Sequence, residues 1–292
     1  MPSFAGASLA IAAPLRFTDD GGLSPGRGYP DAFSPSPMQN SGLLLYEFPC
    51  SEKNRFFLRF ESLAKRFDWY CSQDCAIAHQ AAIGTLFDLA DVAARSDLRN
   101  DLVQELLRQK CALEARFREK GSPDENLSEL LQEVSNVSRE VSQVVGRSGQ
   151  SIRDNEWLQL IRTRQHLPGG TCEFDMPQLH YWLSRPPEER RKELLSLTES
   201  LAPTIRAVNL ILRLMRSSTR VTNEKAVNGM LQLSVTGKNY SLARVWLPQE
   251  AKLIPEVSAN KYMLWIRFSL PDERHKLHAV HETIPFQLGL CQ

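Results

Sequence analysis

The first strong pattern starts after Ser51, where Phe56, Phe60, Leu63 and Phe67 fall at i, i+4, i+7 and i+11 and form one stripe along a helix. Ser51 has the side chain of an N-cap, and Arg55, Arg59 and Arg66 occupy other positions of the same segment. Residues 76–94 and 98–119 predict two more helices, the second capped by Asp97. The next has both ends marked. Ser122 as N-cap, Pro123 at the first helical position and Glu125 two residues on form a capping box, and Gly146 closes the helix. Leu127, Leu130, Val134, Val137, Val141 and Val144 step by three and four, a spacing that suits a coiled-coil seam or a bundle core. The run lasts only about three heptads and is rich in valine and serine, which favours the bundle. Further helices are predicted at 155–165, at 176–184 with Asp175 and Gln178 as a second capping box, at 188–200 after Pro186-Pro187, and at 203–217.

The period then changes from 3.6 to 2. Leu231/Leu233/Val235, Val245/Leu247, Tyr262/Leu264/Ile266/Phe268 and Phe286/Leu288/Leu290 alternate, with Pro and Gly between the runs, and predict one small antiparallel sheet of three or four strands. Such a sheet leaves an open edge. The apolar run Leu43–Phe48, stopped by Pro49, is the strand suited to pair there and bring the two ordered ends of the chain together. The fold class is α+β: a mainly helical bundle domain with a small antiparallel β domain built from the C-terminal strands plus an N-terminal strand. The boundaries read 1–42 as a disordered extension crowded with Gly, Pro and Ser, 43–49 as the N-terminal strand, 50–225 as the helical domain and 226–292 as the β domain.

Composition narrows the function classes. The 292 residues are 42% hydrophobic and 24% charged, ordinary for a globular chain, and the formal net charge is only +1. Regionally, 71–149 holds 9 Lys/Arg against 13 Asp/Glu and 150–292 holds 19 against 14, so an acidic partner prefers the second half. That excess is thin for a nucleic-acid-binding module. No apolar run approaches the roughly 20 residues that span a bilayer. The N-terminal Ala-rich patch lacks the basic stretch of a secretion signal. Six cysteines, Cys50, Cys71, Cys75, Cys111, Cys172 and Cys291, show no C-x-x-C pair, which suits reduced thiols in a cytoplasmic protein. Phosphate-loop, dinucleotide and nucleophile-elbow motifs are absent from the sequence. His275, His278 and His281 invite a metal-dependent enzyme, but on a strand consecutive members face opposite ways and on a helix they drift around it. The expectation is therefore a binding protein with neither enzymatic activity nor cofactor.

One segment stands out, Leu167 to Leu183, LPGGTCEFDMPQLHYWL. Its Pro168-Gly169-Gly170 makes a tight turn, and the helix after it presents Gln178, His180, Tyr181 and Trp182. The preceding helix carries Arg162 and Arg164. Histidine and tryptophan beside arginines make a cationic, partly apolar surface suited to a short acidic and hydrophobic peptide. A well-capped connector with its aromatics in the core is the alternative.

YEFPCSEKNRFFLRFESL, LPGGTCEFDMPQLHYWLSRP, IRFSLP and the tail PFQLGLC occur in the order of the Z-ring-associated protein D (ZapD) family, which the chain resembles over roughly residues 43–292. The resemblance implies a cytoplasmic bacterial division factor, placed at the midcell Z ring, that binds the C-terminal tail of FtsZ, the tubulin-like division GTPase, and bundles its filaments. It also implies a homodimer with a helical and a small β domain, while the near-neutral charge and the lack of a long apolar run lead to the expectation of no nucleic-acid or membrane partner. Carried onto matching motifs, the tail-binding residues are Arg59 and His180 first, with Trp182, and Arg162, Arg164 and Arg267 as supporting cations. The leader 1–42 and the stretch Trp69–Cys75 match no motif of the family.

Overall fold

The computed structural model describes residues 42–95, 97–120 and 125–292. The helical part begins with α1 (Glu52–Ser72) and α2 (Ala76–Ala93), which pack along each other. Ser51 caps α1 as expected, its Oγ accepting from the Asn54 N–H at 3.2 Å. Phe57 and Phe60 are fully buried, with Phe56 and Phe67 close behind, so the phenylalanine stripe is the face α1 commits to the core. Burying four such rings stabilises the fold by roughly 1.5–3 kcal/mol each.

A long hairpin follows, α3 (Leu98–Lys120) and α4 (Glu125–Gln143). Asp97 opens α3 through its carbonyl, which accepts from the Asp101 N–H at 3.0 Å, while Arg95 holds its carboxylate. The capping box at Ser122 and Pro123 lies outside the described residues. The stripe of α4 is spent within the molecule: Leu127, Val134, Val137 and Val141 are buried against α3 and α9 (Ala202–Ser217), the bundle arrangement. Gly146, at φ 79°, turns the chain in the left-handed region after the helix.

Shorter helices complete this layer: α5 (Gln150–Asp154), α6 (Glu156–Gln165), α7 (Pro177–Ser184) and α8 (Pro187–Leu197). The second capping box does not form. α7 starts with Pro177 and its N-cap is Met176, so Asp175 lies one residue too early, in a turn where its N–H bonds the Cys172 carbonyl. Burial of Met176 fixes the start instead. The helix expected at 188–200 ends at Leu197, and a 3₁₀ turn over Glu199–Leu201 redirects the chain into α9.

The single small sheet expected is two four-stranded antiparallel sheets. The first has the order β1-β4-β8-β2, with β1 (Leu43–Pro49), β2 (Arg220–Ala226), β4 (Leu242–Pro248) and β8 (Ile284–Cys291). The second has the order β3-β6-β5, with β3 (Met230–Ser234), β5 (Ile254–Ala259) and β6 (Met263–Pro271), and the short β7 (Leu277–Ala279) pairs β6. Their facing sides meet in one core that includes Val245, Leu247, Ile266, Phe268, Phe286 and Leu288. The other face of the first sheet meets the helices, and Leu242 and Cys291 belong to the helical core. The Leu43–Phe48 run pairs an edge as expected, Leu45 opposite Trp246 and Tyr46 opposite Val245.

Charge locks this junction. Arg216 of α9 bonds Glu47 of β1 at 2.7 Å and Glu61 of α1 at 2.7 Å, and Arg244 of β4 lies 2.9 Å from Glu47. Burial pushes the Glu61 carboxyl up, but the Arg216 hydrogen bonds and charge outweigh it and hold it below the usual range. The Glu61 carboxyl is thus ionised, and both carboxylates already have guanidinium partners.

Candidate peptide-binding site

α1 has two faces of opposite character. Opposite its buried phenylalanines, Arg55, Arg59 and Arg66 follow at intervals of four and seven, the spacing that keeps side chains on one helical face. They border a shallow groove of about 440 Å³ whose walls also include Leu58, Leu63 and Val92, with Glu47 and Pro49 of β1 closing one side. Arg55 is paired with Glu52 at 3.1 Å, an exposed contact of little energetic weight. Arg59 and Arg66 are exposed and form no ion pair among the described residues. Glu47 is held by Arg216 and Arg244, so it presents little free negative charge to the groove. An apolar floor under uncommitted guanidinium groups suits carboxylates flanked by apolar side chains, because each guanidinium offers a planar fork of donors.

A second groove, of about 510 Å³, lies between α6, α7 and α8 and is lined by Trp157, Pro177, Gln178, Tyr181, Trp182 and Glu193. Trp182 resolves toward the core: it is 4% exposed, its indole N–H donates to Glu193 at 2.9 Å, and its ring lies 5.6 Å from that of Trp157. Tyr181, one position earlier, points outward at 71% exposure. His180 is exposed on α7 with Nδ1 3.4 Å from a carboxylate oxygen of Glu173.

The supporting arginines are scattered. Arg162 bonds Asp91 of α2 at 2.7 Å and covers the Phe87 ring at 5.8 Å, which makes it a strut between α6 and α2. Arg164 is half-buried, and its carbonyl sits under the Gly170 turn. Arg267 is exposed on β6, whose Ile266 and Phe268 enter the core between the sheets, so it faces away from that core and does not join Arg59 within one chain. The groove instead supplies Arg55 and Arg66 as companions of Arg59, and the spacing from Arg59 was the signal that could have found them.

The three histidines do not converge. His278 pairs with Asp272 at 3.0 Å, His275 sits at φ 60° in the turn before it, and among the described residues no group of three or more His, Cys, Asp or Glu is placed to hold a metal ion. No helix of the described residues is long and apolar enough to cross a membrane.

A helical layer joins a pair of stacked sheets, and a groove bordered by Arg55, Arg59 and Arg66 lies at their junction. The model of the ZapD family, described as a cell division protein, matches residues 58–267, 210 of the 292. The chain belongs to the ZapD family of cell division proteins.

Proposed function

We propose that this protein binds the C-terminal tail of FtsZ in the α1 groove and, as a homodimer, cross-links FtsZ filaments at the cytoplasmic division site. The observation that carries the reading is the pair of guanidinium groups, Arg59 and Arg66, that form no ion pair among the described residues, over the apolar floor of Leu58, Leu63 and Val92. A tail with acidic and apolar residues satisfies both halves of that surface. His180 and Tyr181, exposed on α7, offer further polar and aromatic contact. A dimer with two-fold symmetry carries two equivalent grooves, which is the minimum for tying two filaments together.

The test is sedimentation of FtsZ polymers. The protein is expected to increase the pelleted fraction, and removal of the FtsZ tail to abolish the increase. Arg59→Glu is expected to fold normally yet weaken tail binding roughly tenfold or more, since a hydrogen bond to a charged group contributes about 1.5–3 kcal/mol. Undiminished bundling by Arg59→Glu, or bundling that survives loss of the tail, removes the α1 groove from the reading.

A further inference from the structure

Among the described residues, the strand beside the basic groove has an open side. β1 ends the order β1-β4-β8-β2, so β4 covers only one of its edges. Two bonds fix which groups point where. The Cys50 N–H donates to the Ser241 carbonyl at 3.0 Å, and the Gln249 N–H donates to the Gly42 carbonyl at 2.9 Å. Both flank the register that runs from Leu43 opposite Pro248 to Pro49 opposite Leu242. Residues of an antiparallel ladder alternate between bonding both backbone groups to the neighbour and aiming both away from it. Gly42, Leu44, Tyr46, Phe48 and Cys50 therefore face β4, and Leu43, Leu45 and Glu47 aim their N–H and C=O groups outward. Among the described residues these outward groups have no backbone partner. Pro49, next in the same series, has no N–H to offer and ends the row.

This open side adjoins the groove, because Glu47 and Pro49 belong to both. A chain laid along it meets backbone donors and acceptors from β1 and, on its helix-facing side, the guanidinium groups of α1. Charge decides what that chain carries. The Glu47 carboxylate is taken by Arg216 and Arg244, whereas Arg59 and Arg66 form no ion pair among the described residues, so the helix-facing positions favour acidic side chains. Unpaired strand edges are natural templates for an added peptide strand, in which the main chain supplies affinity and alternate side chains supply specificity.

We infer that the groove takes its acidic peptide as an added strand on the open side of β1, with main-chain bonds to Leu43, Leu45 and Glu47 and alternate acidic side chains on Arg59 and Arg66. The inference rests on the tail-binding reading and adds the conformation of the bound segment. About five residues of peptide span the open row, which covers roughly 14 Å at the rise of a strand.

Amide hydrogen exchange by NMR on the full chain, with and without saturating FtsZ C-terminal tail peptide, tests this directly. In the free protein the amides of Leu43, Leu45 and Glu47 are expected to exchange fast while those of Leu44, Tyr46 and Phe48 exchange slowly. The peptide is expected to slow the first three by roughly tenfold or more, since hydrogen bonding protects an amide from exchange. Peptide binding that Arg59→Glu weakens, without protection of those three amides, overturns the strand mode and leaves the binding site standing. Slow exchange of the three amides in the free protein also overturns the strand mode. Absence of any peptide binding overturns both.

Discussion

His79 shows how one buried side chain ties helices together. It is fully buried on α2, its Nδ1 accepts from the Arg190 Nε–H at 3.0 Å, and its Nε2 faces the Cys71 carbonyl at 3.3 Å. With Nδ1 as acceptor the ring proton sits on Nε2, and the ring is neutral. Burial first, and then the positive charge of Arg190, hold the imidazole below its ordinary 6.5. The unfolded chain therefore binds a proton at a higher pH than the folded one does. The stability His79 contributes is fully present above about pH 6.5 and is lost as the pH falls through its lower folded value. Chemical denaturation across pH 7 to 5 is expected to show declining stability, and His79→Gln is expected to flatten that slope. An unchanged slope in the variant assigns the pH dependence elsewhere. Glu61 and Glu105, whose carboxyls lie below their usual 4.5, lose their contribution only in more acidic solution. At this same scale the sequence placed Trp182 correctly on a helix but left its direction open. Only the packing of Trp157 and the position of Glu193 decide it.

At the scale of elements, the turn between α6 and α7 depends on two glycines for different reasons. Gly169 adopts φ 72°, in the left-handed region, where a side chain is strained. Gly170 is limited by space: a Cβ there would overlap the Arg164 carbonyl oxygen and lie 2.9 Å from the Leu167 Cβ. Gly170→Ala must push the end of α6 away from the turn and is expected to cost about 1–3 kcal/mol, the usual penalty of overpacking. Thermal unfolding measures it, and a variant as stable as the parent would show that the turn can open. The doublet was legible as a turn, but not the second glycine's reason, since a close approach to α6 exists only once both helices are in place. The same holds for β2 and β7. β2 reads RVTNEKA and is exposed along most of its length, so no alternation marks it, and its place is set by pairing with β8. α1 is the opposite case. Its buried stripe and its arginine row were both readable from spacing, because a helix keeps positions four and seven apart on one face wherever it packs.

For the whole molecule, the proposed function turns on valency rather than on a strong single contact. In that proposal a shallow, solvent-facing groove holds one tail weakly, and a dimer gains by holding two tails fixed on a polymer. The affinity for FtsZ polymers is expected to exceed that for the free tail peptide by roughly 10²-fold or more, within the range that linked binding sites reach. Fluorescence anisotropy on the peptide and co-sedimentation on polymers supply the two numbers, and equal values would count against cross-linking. The sequence by itself determined the α+β class, most helices with their buried faces, the strand that returns to cover a sheet edge, and the family, because these rest on local periodicity and on short strings read along the chain. The tertiary structure alone decided that the strands form two stacked sheets, that Arg267 on β6 lies apart from Arg59, and that Arg162 is a strut. It also decided which side of β1 stays open. Each of these depends on which residues distant in sequence are brought side by side, and hydrophobic period carries no record of that.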